Sequence, residues 1–254
     1  MKTICICCQK GGSSKSTTAL NLCHGLANRG YKVLGLDMDE QLNFSRSTGI
    51  EVLKAESTVY DLMTGKATPQ DARQSVKLYF DMIAGDLQLA NADAVFSKTG
   101  RERLLKKALR LAKNDYDYCI IDTSPHLGVS TINALTAADT ALIPITADEY
   151  CLEGLAQLRD VISSVKEYCN EFLAVSGILI TKYNARLTVT QALMPSIQLA
   201  ADYLGTRVYN TKIRSSVKVQ ESQILQVDLL TEYAKSTAAK DYESFITEFL
   251  ESEA

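Results

Sequence analysis

Short apolar runs alternate along the chain with segments whose apolar residues return every three or four positions. Ile4 to Cys8 is a continuous run of the kind buried in a parallel sheet. Behind it Ala19, Leu22, Cys23, Leu26 and Ala27 recur at helical spacing until Gly30 stops the pattern. Lys32 to Asp37, Phe80 to Ala84, Cys119 to Asp122, Thr140 to Ile145, Val175 to Thr181 and Arg207 to Tyr209 read as further strands. Arg101 to Lys113 reads as one amphipathic helix, with Leu104, Leu105, Ala108, Leu109 and Ala112 inward and Arg103, Lys106, Lys107, Arg110 and Lys113 outward, a solvated face or, alternatively, a DNA contact. Near the C-terminus Ala238, Tyr242, Phe245, Ile246 and Phe249 form another stripe. Residues 48–93 are the least periodic and hold short helices around Thr58 to Met63 and Pro69 to Gln74. Strands alternating with helices predict an α/β fold: a mostly parallel, twisted sheet with helices on both faces. With 254 residues and 46% apolar content the chain can bury a substantial core, and residues 1–254 read as one domain.

The join between the first strand and the first helix carries the most specific chemistry. Gln9 to Thr18 reads Q-K-G-G-S-S-K-S-T-T, a phosphate-binding loop that opens into a helix N-terminus. Such a loop turns successive backbone N–H groups toward phosphate oxygens, a task suited to Gly11, Gly12, Ser13 and Ser14. Lys15 supplies a point charge for the phosphates, and Ser16, followed by Thr17, offers a hydroxyl to Mg2+. Ser14 stands where a glycine would complete the pattern. If the backbone is left-handed there, the side chain costs roughly 1 to 2 kcal/mol, about tenfold in nucleotide affinity. Asp37 and Asp39 lie at the end of one expected strand and Asp122 at the end of another, so all three are expected in the crevice where the loop opens.

Composition narrows the field. A net charge of −3 argues against a uniformly basic nucleic-acid binder, so any DNA affinity has to come from a local patch. Among the seven cysteines one C-x-x-C spacing occurs, Cys5 to Cys8, but it lies in the apolar strand-like run, and only His24 and His126 could join them, which disfavours zinc. Most of them fall in strands or apolar stripes, where free cysteine acts as a small hydrophobe. With no leader-like segment or membrane-length apolar run, a reducing cytoplasm is the expected location.

Over nearly its whole length the chain resembles ParA-type partition ATPases, the deviant phosphate-loop class that also contains the MinD proteins. The resemblance rests on Lys10-Gly11-Gly12, Lys15-Ser16-Thr17, Asp37-Met38-Asp39-Glu40-Gln41, Tyr116 to Asp122, Ser124 to Gly128, Thr131 to Leu135, Ile143-Pro144 and Leu152 to Leu155. It implies ATP and Mg2+ as cofactors, slow hydrolysis, and a homodimer formed on ATP. Lys10 resembles the signature lysine that reaches across the dimer, Lys15 the lysine acting in cis and Ser16 the magnesium ligand. Asp39 resembles the residue tied to water activation, and Asp122 the carboxylate that holds magnesium through water. Asn184 resembles a residue that reads adenine, although Asn in a turn also has a purely conformational role. Arg186 and Lys218 resemble cations used against non-specific DNA, each of which could instead be an ordinary surface charge. The segment 48–93 resembles the variable segment of the class. The expected partners are DNA and a ParB-like adaptor, with nucleoid association in the ATP state. A MinD-like role needs a basic amphipathic C-terminal helix, whereas Asp241, Glu243, Glu248, Glu251 and Glu253 make this one acidic, so no membrane partner is expected. Two other readings remain open: a dimer switch without hydrolysis, motivated by Ser14, and a metallocluster ATPase of the nitrogenase iron-protein type, which would need bridging cysteines.

Overall fold

The computed structural model describes residues 1–77 and 79–253. Its strands are β1 (Lys2–Ile6), β2 (Val33–Met38), β3 (Arg73–Val76), β4 (Phe80–Ile83), β5 (Tyr118–Thr123), β6 (Thr140–Thr146), β7 (Ala174–Tyr183) and β8 (Val208–Arg214). They form one sheet in the order β3-β4-β2-β5-β1-β6-β7-β8. Every pairing is parallel except β3 with β4 at one edge. The chain winds outward from β1 to that edge and, after β5, from β6 to the other. The carboxyl ends of β1, β2 and β5 therefore share a crevice at the switch point.

Side-chain alternation divides the interior between the two faces. From β1, the residue just beyond it and β5, Cys5, Cys7, Cys119 and Ile121 join the core beneath the helices Val129–Ala137 and Cys151–Tyr168. Ile4, Ile6 and Ile120 point the other way, into a core with Leu22 and Cys23 of the helix Lys15–Ala27 and with Tyr242, Phe245 and Phe249 of the helix Thr237–Glu253. The cysteines of both faces are thus packing groups. Gly25 lets the latter two helices approach: a β-carbon there would lie 2.1 Å from Ile246 Cδ1. The C-terminal stripe is core, as its acidic polar face predicts. No helix among the described residues is long and apolar enough to cross a membrane.

Three elements differ from the sequence reading. The helix expected to run from Pro69 to Gln74 spans Pro69–Ala72 and gives way to β3. Asp71 closes a capping box on Thr68, while Arg73 already pairs with Ile83. The amphipathic segment 101–113 is not one helix: short 3-10 turns at Arg101–Arg103 and Arg110–Ala112 flank Leu104–Leu109. Asn133 sets the first junction, its Oδ1 accepting from Leu105 N at 3.1 Å and its Nδ2 donating to Arg101 O at 2.7 Å. Finally, β8 continues past Tyr209 to Arg214. The polar stretch Asn210–Thr211 is held in the strand because Glu248 accepts from both backbone N–H groups, at 2.7 and 2.9 Å.

Candidate functional site: a phosphate loop with carboxylates behind it

The loop between β1 and its helix turns back through two left-handed residues, Gly12 at φ 75° and Ser14 at φ 67°. At Gly12 the missing β-carbon makes this conformation accessible. Ser14 adopts it against the steric preference of an L residue, so the penalty read from the sequence attaches to a real conformation. Ser14 is the helix N-cap, but its side chain makes no capping bond; its carbonyl accepts from Thr18 N at 2.8 Å. The loop lies against β7, where the Thr181 hydroxyl shares its proton between Ser13 O at 3.1 Å and Ile145 O at 3.0 Å. Ser13 itself is buried, whereas Gly11, Gly12, Ser14, Lys15, Ser16 and Thr17 line an open cavity of about 730 Å3.

Lys15 is buried against the loop and donates to Lys10 O at 3.1 Å. The Lys10 side chain turns away from the cavity. Its ammonium pairs with Asp148, just beyond β6, and lies 5.7 Å from the centroid of the Tyr150 ring. The two lysines of one loop therefore serve different spaces. Burial alone would raise the Asp148 carboxyl, but bonding to Lys10 and Thr146 draws it below the ordinary range.

Behind Lys15 stand the three carboxylates expected there. Asp37 accepts from Ser45 N and Ser45 Oγ at 2.9 and 2.7 Å, and from Asp39 N at 3.1 Å. Burial still outweighs these bonds and pushes Asp37 up to about 6. Burial also raises Asp39, opposed by the Gln41 N–H that Asp39 Oδ1 accepts at 2.9 Å. Asp122 is fully buried, and neither carboxylate oxygen has a hydrogen-bond partner. Burial raises it well above the carboxylate range and the Asp37 charge adds to this, while the nearby Ser16 hydroxyl opposes the rise without completing hydrogen-bond geometry.

A partnerless acid beside a hydroxyl and a lysine suits a hydrated cation, whose charge would reverse the repulsion among these carboxylates. No group of three or more His, Cys, Asp or Glu among the described residues could hold a metal ion by itself. Magnesium keeps waters and takes its other ligands from phosphate and one or two protein oxygens. Ser16 and Asp122 fit such a role. Cys119 and Cys151 are buried, so neither is presented for a bridging cluster.

The far wall of the cavity comes from the end of β8 and the helix Val217–Leu225, including Ser215, Ser216, Gln220 and Gln223. Gln223 Nε2 donates to Thr17 Oγ1 at 3.0 Å and ties this wall to the phosphate loop. Arg214 is held at the backbone N, Nε and Nη2 by Asp241 at 2.9, 2.9 and 2.6 Å. Asn184 is not part of this wall. Its Oδ1 accepts from Arg186 N at 3.0 Å in the turn after β7, the conformational role open to it from the start. Arg186 is exposed on the same turn. Lys218 is bonded to Glu221, which raises its pKa, and lies 5.0 Å from the Tyr233 ring centroid.

The sequence reading missed Asp148, Gln223 and Lys182, the last of which also lines the cavity. Asp148 and Lys182 could have been found by the reasoning that located Asp39 and Asp122, since both sit at carboxyl ends of strands. Gln223 carried no such signal, because its place depends on how a distant helix docks.

A parallel sheet with a phosphate loop at its switch point and acids on the adjoining strand ends defines a P-loop nucleotide-binding domain. The family model described as an AAA domain matches residues 1–175. Over 223 residues the chain is 39% identical to the sporulation initiation inhibitor protein Soj of Bacillus subtilis, covering 87% of each chain. It is 32% identical over 243 residues to the chromosome partitioning protein ParA of Myxococcus xanthus, covering 95% of this chain and 85% of that one. Among solved structures, apo McdA of Cyanothece superposes with a TM-score of 0.89 at 25% identity, over 98% of this chain and 99% of the other. Cobyrinic acid a,c-diamide synthase of Mycobacterium smegmatis, with bound ADP and magnesium, gives a TM-score of 0.84 at 28% identity over 97% and 93%. The chain belongs to the ParA/Soj family of P-loop ATPases.

Proposed function

We propose that this protein is an ATP-driven positioning switch: it dimerises on ATP, holds non-specific DNA as a dimer, and is released by slow hydrolysis under an adaptor of the ParB kind. The observation that carries the reading is the division of labour within the loop. Lys15 serves the chain's own cavity, whereas Lys10 points out of it and is held by Asp148. A second protomer facing the loop would give Lys10 a phosphate to engage in place of that carboxylate.

Within the cavity Lys15 and the loop N–H groups would hold the phosphates, and Ser16 with Asp122, through water, would hold magnesium. The ion, when bound, supplies neutralisation of phosphate charge. Asp39, raised by burial and standing at the cavity wall, would orient the attacking water. Asn184 would reach adenine only by leaving its turn, while Ser215, Ser216 and Gln220 already face the space beyond the phosphates. Arg186 and Lys218 would meet DNA phosphates, Lys218 exchanging Glu221 for them. A few cations per protomer bind weakly, and a dimer presents them together. The protein would work in the cytoplasm, on the nucleoid in its ATP form.

Light scattering and retention on arbitrary duplex DNA, with ATP or ADP, test this reading. ATP should give a dimer retained on DNA, with retention falling steeply as salt rises. Lys10→Ala should abolish dimer and retention while leaving nucleotide bound. Equal retention with ADP, or a dimer indifferent to Lys10, would sink the proposal. The left-handed Ser14 favours a second reading, in which ATP only stabilises the dimer. Phosphate release that persists with DNA present and vanishes in Asp39→Ala separates the two.

A further inference from the structure

In a regular strand successive side chains leave opposite faces, so Thr181 and Lys182 at the end of β7 should diverge. They do not diverge here. Thr181 reaches the loop carbonyl of Ser13, and Lys182 brings its ammonium within 3.8 Å of the position a Gly12 β-carbon would occupy. The backbone explains this: Lys182 has φ 50°, and the pairing of β7 with β8 shifts register between Ile180 and Tyr183. Such irregularities re-aim side chains at strand ends, and a non-glycine residue held left-handed needs a compensating reason. Lys182 lines the same cavity as Gly11, Gly12, Ser14 and Lys15. Among the described residues no carboxylate pairs with its ammonium. Lys10 and Lys15 both have partners, whereas Lys182, exposed at the cavity rim, has no ionic partner among the described residues.

We propose that Lys182 is a third phosphate-binding cation of this site, acting in cis from the end of β7 on the oxyanions that the loop cradles. The inference rests on the nucleotide-binding reading above. A flexible ammonium suits this position, because as a point charge it needs no fixed fork geometry and can follow the phosphates as they seat. It also bears on Ser14, whose conformation weakens the loop where Lys182 adds attraction.

The test is ADP affinity in the presence of Mg2+, measured on the full chain by displacement of a fluorescent nucleotide at low and high salt, for wild type, Lys182→Met and Lys182→Arg. Lys182→Met should weaken ADP about tenfold, equivalent to ~1.4 kcal/mol, and should weaken AMP less. The gap to wild type should narrow at high salt, and Lys182→Arg should recover most of the loss. Urea unfolding of the ligand-free variants shows whether they fold alike, and a loss of affinity matched by a loss of fold overturns the assignment. So does wild-type ADP affinity in Lys182→Met, and so does DNA retention lost with ADP affinity unchanged, which would make Lys182 a DNA cation. Wild-type protein that bound no ADP would overturn the nucleotide reading along with it.

Discussion

Ser14 and Lys10 show how far single side chains set the behaviour of the loop. With Ser14 at φ 67°, glycine would remove the penalty on the folded conformation although it also loosens the unfolded chain. Ser14→Gly should therefore raise the stability of the ligand-free protein by roughly 1 kcal/mol, measurable by urea unfolding; an unchanged or lower midpoint would mean that the serine side chain offsets the strain of its own backbone. Lys10 is restrained by Asp148 and, in the proposed dimer, would have to leave it to meet a partner's nucleotide. Because this ion pair is partly exposed, its contribution is modest, on the order of 1 kcal/mol. Asp148→Asn should lower the protein concentration needed for the ATP dimer by up to about fivefold, and analytical ultracentrifugation would detect the change. A higher requirement would mean that Asp148 supports the dimer instead of restraining Lys10.

At the scale of elements, legibility followed burial. β1, β2, β5 and β6 were readable because central parallel strands are apolar on both faces, and the acids that end β2 and β5 follow from that placement. β3 and the far half of β8 were not, since edge strands are held by partners elsewhere: Arg73–Val76 by β4, and Asn210–Thr211 by Glu248. The broken helix at 101–112 was hidden likewise, because Asn133 captures its backbone groups from another helix. Within the site, the loop and its acids were legible from local spacing, while the docking of Gln223 on Thr17 required the assembled fold. The contact at Gly25 tests the helix pair directly. Its tight approach to Ile246 predicts that Gly25→Ala lowers stability by roughly 1 to 3 kcal/mol despite alanine's better helix propensity. A urea midpoint equal to or above wild type would show that the two helices part at little cost.

For the whole molecule, the buried acids couple stability to pH. Asp37 has its folded pKa at about 6 against an ordinary 3.8, so its contribution is fully present below 3.8 and is lost as pH rises through about 6. Asp122 is shifted in the same direction. The ligand-free protein should lose roughly 1 to 3 kcal/mol across that window from Asp37, and Asp37→Asn should flatten the loss in urea unfolding run at stepped pH. A wild-type curve that rises through the window would contradict this assignment. A hydrated cation bound among these carboxylates would relieve their mutual repulsion and would favour the occupied form.

Glu248 has a consequence beyond lengthening β8. The outer rim of a sheet is a template on which another chain can lay a strand, and stacking of that kind has no natural end point. By occupying the N–H groups of Asn210 and Thr211 from within, a carboxylate on the last helix withholds those sites from a neighbour. If the protein joins and leaves its own copies as proposed, it would be protected, along this stretch, from joining them in a way that cannot be undone.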